Sequence, residues 1–145
     1  MRFVDTNVLL YSVSTAAEDR SKLQTALSLL DSKELVLSVQ VLQEFYIQAT
    51  RNNKPDQLTH EQAILLIESF LLRYPVQAMT VSLMRSALAA KERYRISYWD
   101  AAVIEAARAS GCDTVLTEDL NDGQDYGGVR VVNPFRKSHP ARPRS

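Results

Sequence analysis

The stretch RFVDTNVLLYSV, residues 2–13, decides the fold. Its apolar start predicts a short buried strand, and the run VLLYSV after Asn7 predicts the helix that follows. Asp5 then lies at the carboxyl end of the first strand, where open α/β sheets bind their ligands. Because Asp, Thr and Asn are also common at helix starts, simple capping of the helix is an equally good explanation for this Asp.

The rest of the chain repeats the alternation of strand and helix. Four further short apolar or β-branched segments predict strands, at residues 35–38, 76–79, 113–117 and 129–132. Helical patterns with polar starts lie between all but the last two strands, and those after the first helix start near residues 18, 38, 59, 80 and 97. We therefore expect an α/β protein, a three-layer α/β/α sandwich with a mainly parallel central sheet.

Length and composition indicate one domain without a membrane segment. The 145 residues fit a single domain, which we place at residues 1–135. No apolar run reaches the roughly 18 residues that span a bilayer. The start MRFVDTN lacks a signal-peptide pattern, so we expect a cytoplasmic protein.

Charge is unevenly distributed along the chain. Residues 136–145 contain four basic side chains and no acid, so the preceding 135 residues carry 13 basic and 17 acidic side chains. This acidic body argues against a globally basic nucleic-acid binder. We expect the tail at 136–145 to be a disordered basic end; helping to hold a polyanion is the alternative.

One predicted helix, between Thr59 and Pro75, is more apolar than a one-sided surface helix requires. Its apolar side chains cover much of the helix circumference: Ile64, Leu65, Leu66, Ile67, Phe70, Leu71 and Leu72. Packing against a second subunit and burial between two elements of the same chain explain this pattern equally well.

Three more carboxylates, Glu44, Asp100 and Asp119, lie near predicted strand ends or helix starts, as Asp5 does. Taken singly, Asp100 can complement a helix dipole and Glu44 can be a solvated side chain. If all four acids met at about 5 Å, each pair would repel by roughly 3 kcal/mol at an effective dielectric of about 20. A divalent cation would offset this repulsion.

The available ligand types favour a hard cation. The one cysteine, Cys112, cannot form a cysteine cluster, and His60 and His139 lie in a capping turn and in the tail. Oxygen ligands without sulfur or imidazole suit Mg²⁺ or Mn²⁺ better than zinc. We therefore expect one or two Mg²⁺ or Mn²⁺ ions at the four acids.

Four segments around these acids resemble the motifs of a known family. The segments are VDTNVLLY at 4–11, SVQVLQEFY at 38–46, ISYWDAAVIEAA at 96–107 and LTEDLNDG at 116–123. In this order they are similar to the four acidic motifs of the PIN-domain ribonucleases, in particular the VapC-type toxins of bacterial toxin–antitoxin pairs. The likeness extends over nearly the whole chain.

The resemblance implies a metal-dependent endoribonuclease that acts as a toxin, forms a homodimer and is neutralised by a cognate antitoxin protein. The catalytic and metal-binding acids of the family correspond to Asp5, Glu44, Asp100 and Asp119. Asn7 and Thr117 match the polar positions that orient those acids. Glu118 and Asp122 are close enough in sequence to share or take the role of Asp119.

The implied reaction is in-line attack of a metal-activated water on an RNA phosphodiester, without a protein nucleophile. We expect Asp5 and Asp100 to bind metal directly. Glu44 and Asp119 would bind it directly or through water, and one of them would help to deprotonate the attacking water. An RNA substrate also calls for basic residues around the site, and the best candidates are Arg85, Lys91, Arg93 and Arg95. A solvated helix face explains these four equally well.

Other interpretations remain open from the sequence. Trp99 or Tyr98 can stack on a base, although an aromatic residue beside a helix start is more often core. A PIN-like module that binds RNA or a protein without cutting is the main alternative function. A second alternative makes Asp5 a phosphoacceptor or a phosphatase nucleophile, but no lysine closely follows the later strands to complete such a site.

Overall fold

The structure, a computed structural model, describes residues 1–136, so most of the predicted tail, including His139, lies outside the described residues. Its five strands are β1 (Arg2–Val4), β2 (Leu35–Ser38), β3 (Val76–Gln77), β4 (Thr114–Leu116) and β5 (Arg130–Val132). They form one sheet in the order β3-β2-β1-β4-β5, and every neighbouring pair is parallel. The predicted parallel sheet is confirmed.

Six helices connect these strands: α1 (Thr6–Tyr11), α2 (Arg20–Leu30), α3 (Val39–Ala49), α4 (His60–Arg73), α5 (Val81–Tyr94) and α6 (Tyr98–Ala109). Side-chain caps fix the starts of all of them except α2. Thr59 and Gln62 form the reciprocal capping box of α4, and Ser38 accepts a hydrogen bond from an amide in the first turn of α3. The helix predicted to start near residue 18 instead has a short 3-10 turn, Ala17–Asp19, before α2 begins.

The core explains why the sheet is central. Successive side chains of a strand point to opposite faces of the sheet. Phe3 and Val4 of β1 are both fully buried, and so are consecutive residues of β2 and β4. Both faces of the sheet are therefore covered by helices, which confirms the three-layer sandwich.

Helix α4 buries one side and exposes the other. Ala63 and Phe70 pack into the protein, whereas Leu65 is 71% exposed and Leu72 is 90% exposed. Burial within the same chain therefore accounts for only one face of this apolar helix. Within residues 1–136, none of the helices combines the length and apolar character that crossing a bilayer requires.

The strand order places a crevice at the carboxyl ends of β1 and β4. From β1 the chain moves to β2 and β3 on one side, and it later returns to β4 on the other side of β1. Connections that leave adjacent strands in opposite directions open a crevice between them, the usual ligand site of such sheets. Asp5 directly follows β1, and Thr117 directly follows β4.

Candidate functional site

Asp5 lies buried at the carboxyl end of β1, beside this crevice. It is only 6% exposed. One carboxylate oxygen, Oδ1, accepts the Thr6 N–H at 2.7 Å, and the other, Oδ2, accepts the Thr117 hydroxyl at 2.8 Å. The first bond makes Asp5 the N-cap of α1. Capping of α1 and a place beside the crevice are thus not alternative explanations for Asp5, because the same buried carboxylate does both.

Thr117 joins the loop after β1 to the loop after β4. Its buried hydroxyl donates to Asp5 and accepts two hydrogen bonds at 3.1 Å, from the Asn7 side-chain amide and the Asp119 backbone N–H. The Asn7 amide also donates to Asp119 Oδ2 at 3.1 Å. The two predicted polar residues therefore lie between the first and fourth predicted acids and connect them.

The second and third acids approach from other helices. Glu44 projects from α3, where its Oε2 accepts the Thr6 hydroxyl at 3.0 Å and its Oε1 accepts the Gln40 amide at 3.1 Å. Asp100 lies in the first turn of α6, and its backbone N–H donates to the Ser97 cap at 3.1 Å. The roles of Thr6 and Gln40 were not predicted from the sequence. The spacing of Gln40 and Glu44, one helical turn apart, was the available signal.

The four acids lie close enough to influence one another electrostatically. Burial raises the pKa of Asp5 to about 6, against the hydrogen bonds from Thr6 and Thr117, and the charges of Asp119 and Glu44 add to the increase. Burial also raises the pKa of Asp100, with the same two carboxylates contributing. Asp5 and Asp100 therefore both lie within electrostatic range of Glu44 and Asp119.

Glu118 is turned away from these four acids. Its Oε1 accepts the Tyr11 hydroxyl, and its Oε2 pairs with the Lys22 ammonium at 3.0 Å. The ammonium also lies 4.6 Å from the centroid of the Tyr11 ring. Both oxygens of Glu118 are thus held by α1 and α2, which leaves Asp119 as the acid of this loop that Asn7 and Thr117 contact.

Asp122 is also engaged elsewhere. Its Oδ1 accepts the Asn133 N–H at 2.9 Å, and its Oδ2 pairs with Arg136 at 3.0 Å. These two contacts lower the pKa of the Asp122 carboxyl. Asp122 therefore holds the segment after β5 against the loop that follows β4.

Two grooves open from the acidic centre, and Glu44 and Asp119 line both of them. The polar groove has a volume of about 610 Å³ and is lined by one side of α1 and by the further acids Glu18, Asp19, Asp56 and Glu118. The apolar groove, about 1180 Å³, runs between α3, α4 and the start of α6, and Asp100 and Trp99 belong to its wall. The acids therefore lie at the junction of two surfaces of different chemistry.

The four predicted RNA-binding cations lie away from both grooves. Arg85, Lys91, Arg93 and Arg95 are all exposed, and none of them lines either groove. Arg95 instead ends α5 in the left-handed conformation, with φ of 54°. Lys54, which the sequence analysis did not single out, lines the polar groove and pairs with Asp56 at 2.9 Å. An RNA-binding role of the four cations stays a prediction.

The donor set suits a hard divalent cation bound with water. Among residues 1–136, no three Asp, Glu, His or Cys side chains are arranged to hold a metal ion by themselves. The donors at the site are carboxylate and amide oxygens, which suit Mg²⁺ better than zinc. The Asn7 side-chain oxygen is buried and has no hydrogen-bond partner within the described residues, an unmet acceptor beside the acids. Of the histidines, His60 bonds Tyr46 at 2.8 Å on the surface.

The acids lie within a segment that matches a known family. The model of the PIN domain family matches residues 2–122, which is most of the chain. The chain belongs to the PIN domain family. All four acids and the two polar residues between them fall inside the matched segment, so the motif resemblance and the family match cover the same part of this PIN domain.

Solved structures share the fold of this PIN domain at low sequence identity. VapC20 of Mycobacterium tuberculosis, a sarcin–ricin loop cleaving toxin, has a TM-score of 0.63 and 19% identity, covering 82% of this chain and 92% of its own. A toxin–antitoxin complex from Klebsiella pneumoniae has a TM-score of 0.64 and 16% identity, covering 92% and 98%. VapBC2 of Rickettsia felis, bound to promoter DNA, has a TM-score of 0.62 and 16% identity, covering 90% and 96%. A comparison with curated protein sequences gives no match.

Proposed function

We propose that this PIN domain is a Mg²⁺- or Mn²⁺-dependent endoribonuclease, the toxin of a toxin–antitoxin pair. The carrying observation is the buried Asp5 carboxylate, whose pKa is raised to about 6 and which lies within electrostatic reach of Glu44 and Asp119. Such a centre is costly for a protein unless a cation compensates it. The similarity to VapC20, a sarcin–ricin loop cleaving toxin, supports RNA as the substrate class.

The side chains would have different roles around the proposed ion. When bound, the ion lowers the pKa of a water molecule and stabilises charge on the scissile phosphate. Asp5 and Asp100 would hold it. The Thr117 hydroxyl fixes the positions of Asp5 and Asp119 relative to each other. Thr6 and Gln40 each donate a hydrogen bond to one oxygen of Glu44. Glu44 and Asp119 face the grooves, so either is placed to accept a proton from the attacking water.

The burial of Asp5 disfavours the phosphoacceptor alternative. A nucleophilic carboxylate must reach the phosphorus of a bulky substrate, but Asp5 is only 6% exposed. A bare ion is smaller, and each Asp5 oxygen accepts one hydrogen bond and keeps a second acceptor site for it. A stable phosphoaspartate at Asp5 would revive that alternative. A PIN-like module that binds RNA or a protein without cutting would differ from the nuclease only in lacking the cleavage reaction. An RNA cleavage experiment distinguishes the two.

The decisive experiment incubates the purified protein with total cellular RNA and maps the new RNA ends. We expect cleavage in Mg²⁺ or Mn²⁺ that leaves a 5′-phosphate, stops with EDTA and returns when the metal is restored. Cleavage that persists in EDTA would contradict the metal dependence. RNA binding without cleavage under all metal conditions would favour the non-cutting module.

Asp119, rather than Glu118 or Asp122, is expected to be the fourth acid. We expect Asp119→Asn to lower kcat/KM for RNA by at least about 10- to 100-fold, the usual cost of losing support at a metal site. Glu118→Gln and Asp122→Asn should change it only a few-fold, because their carboxylates pair with Lys22 and Arg136. A larger loss in Glu118→Gln than in Asp119→Asn would reverse the assignment.

We extend the proposal to a cytoplasmic homodimer that binds a cognate antitoxin. The exposed leucines of α4, Leu65 and Leu72, offer apolar surface that burial within the chain does not explain. Among the similar structures, the one from Klebsiella pneumoniae is a toxin–antitoxin complex. Arg85, Lys91, Arg93 and Arg95 remain our candidates for contacts with RNA segments beyond the grooves.

A further inference from the structure

We propose that Trp99 is a stacking platform for a nucleobase next to the scissile phosphate, so that the apolar groove is a nucleobase subsite. This subsite rests on the proposed RNA cleavage and specifies how that substrate is held. It assigns a separate role to each of two neighbours in the sequence, since Asp100 faces the metal centre and Trp99 faces the base.

Trp99 is exposed but held in place. Its side chain is 61% exposed, an unusual position for an indole. The ring stacks on Tyr98 with the centroids 5.2 Å apart and the planes only 10° apart. Tyr98 packs in turn against the small-residue contact between α5 and α6, which includes Ala87 and Ala101. Because the tyrosine fixes the indole in the free protein, little conformational entropy remains to be lost when a second flat ring binds.

The location of Trp99 ties it to the reacting phosphate. Trp99 precedes Asp100 in the chain and lines the apolar groove together with Asp100, Glu44 and Asp119. A phosphate held at these acids carries its flanking bases only one sugar away. The base of the nucleotide attached on this side of the phosphate then lies in the apolar groove beside the indole.

The two grooves differ in how well they suit a base. The apolar groove has an aliphatic lining that includes Ile47, Ile67 and Leu71, and the Gln43 amide is available for a base edge. These features match a base, whose faces are apolar and whose edges are polar. Its only acids are the three of the proposed site.

The polar groove is a poor path for RNA. Its wall adds Glu18, Asp19 and Asp56 to the acids of the site, and Lys54, the one lysine that residues 1–136 contribute to it, is already paired with Asp56. Nearby carboxylates repel the phosphates of a nucleic acid. The charge distribution therefore directs the base flanking the cleaved bond to the side of Trp99.

The chain contains a single tryptophan, which makes the proposal directly measurable. We would titrate the full-length protein, with Ca²⁺ in place of Mg²⁺, with a single-stranded RNA oligonucleotide that it cleaves in Mg²⁺, and follow Trp99 fluorescence. Stacking should quench the emission. We would repeat the titration with variants of this oligonucleotide that each carry one abasic nucleotide at a different position. Quenching should be lost for the variant whose abasic nucleotide lies at one position beside the cleaved bond.

Cleavage kinetics in Mg²⁺ provide the second readout. Trp99→Ala should lower kcat/KM by about 5- to 150-fold, the range expected for the loss of one base–aromatic stack, and Trp99→Phe should retain most of the activity. The abasic oligonucleotide should show the same loss with the wild type and no further loss with Trp99→Ala, because both changes remove one interaction. Leu88, a half-exposed apolar residue on α5 outside both grooves, is the control position, and Leu88→Ala should leave kcat/KM unchanged.

Each outcome has a clear meaning. RNA cleavage without fluorescence quenching, or with additive effects of Trp99→Ala and the abasic site, would overturn the subsite and leave the nuclease intact. Quenching by an apolar peptide from a protein partner, but not by RNA, would also overturn it and would assign the groove to that partner. If the wild type cuts no RNA in any divalent metal, the proposed function itself fails.

Discussion

Asp5→Asn is expected to abolish RNA cleavage, with a loss of kcat/KM well above the roughly 100-fold that removing a supporting residue at a metal site costs. The substitution keeps the size of the side chain and its hydrogen bond from the Thr6 N–H. It removes the negative charge on which a divalent cation at the base of the crevice depends. Activity should be measured with the mapped RNA site over a range of Mg²⁺ and Mn²⁺ concentrations.

The matched control for this variant is Asp31→Asn. Asp31 is a surface carboxylate that pairs with Arg73 at 3.2 Å, and its side chain is largely exposed. The same chemical change there should leave cleavage unaltered, because exposed ion pairs contribute little. Wild-type activity in Asp5→Asn would show that Asp5 does not belong to the metal centre.

The same Asp5→Asn variant should be more stable than the wild type when EDTA removes divalent ions. Because the pKa of Asp5 is about 6 in the folded protein and the ordinary pKa of an aspartate is 3.8, the folded state binds more protons between these values. Wild-type stability therefore falls as the pH rises through this window and stays reduced above pH 6, by about 3 kcal/mol from this group. The lost bond from Thr117 should offset about 1 kcal/mol of the gain in the variant.

Thermal melts in EDTA at pH 4 and pH 7.5 test this expectation. The variant should melt above the wild type at pH 7.5, and the difference should be small at pH 4, where Asp5 is protonated in the folded wild type. Mg²⁺ or Mn²⁺ should stabilise the wild type more than the variant, because binding to the folded state raises stability. A variant that is less stable than the wild type at pH 7.5 would show that ionised Asp5 is not a source of strain in the fold.

Thr117→Val is expected to give the second large effect, a loss of about 10- to 100-fold in kcat/KM, because Thr117 positions two of the acids. Valine has nearly the same shape but no hydroxyl. It leaves Asp5 Oδ2 without its donor, and it leaves the Asp119 N–H and the Asn7 amide without their shared acceptor. Each unmet buried group costs about 1–3 kcal/mol of stability, so Thr117→Val should also unfold at lower temperature.

Thr117→Ser separates the role of the hydroxyl from simple packing. Serine restores the hydroxyl but removes a methyl group from a fully buried position. We expect the serine variant to have most of the wild-type kcat/KM and to reach half-maximal activity at nearly the wild-type Mn²⁺ concentration. This should hold even where its melting temperature stays below that of the wild type. Equal losses of kcat/KM in the valine and serine variants would assign Thr117 to packing alone.

The sequence predicted the fold well because local signals agreed with it. The caps Ser38, Thr59 and Ser97 mark helix starts that the structure confirms, since each satisfies amides that the first helical turn leaves unpaired. The central strands β1, β2 and β4 were readable because consecutive apolar residues there are buried on both faces of the sheet. Near residue 18 the pattern was wrong by a few residues, because a 3-10 turn precedes α2.

The surroundings of the acids were much less predictable. A carboxylate has the same appearance in the sequence whether it faces a groove or an ammonium group. Only the folded chain shows Glu118 held by Tyr11 and Lys22, residues about a hundred positions away. The same limit applies to the basic candidates: their cluster before Asp100 is near the site in sequence, but α5 carries it away from both grooves.

The sequence by itself therefore determined the order of the elements and the parallel sheet, and it singled out four candidate acids. These follow from apolar periodicity and capping, which act over a few residues. The tertiary structure decided which loop acid faces the centre, which groove is apolar, and that Trp99 is exposed while Tyr98 is packed. Those properties depend on contacts between distant segments, and they exist only after the sheet has brought the segments together.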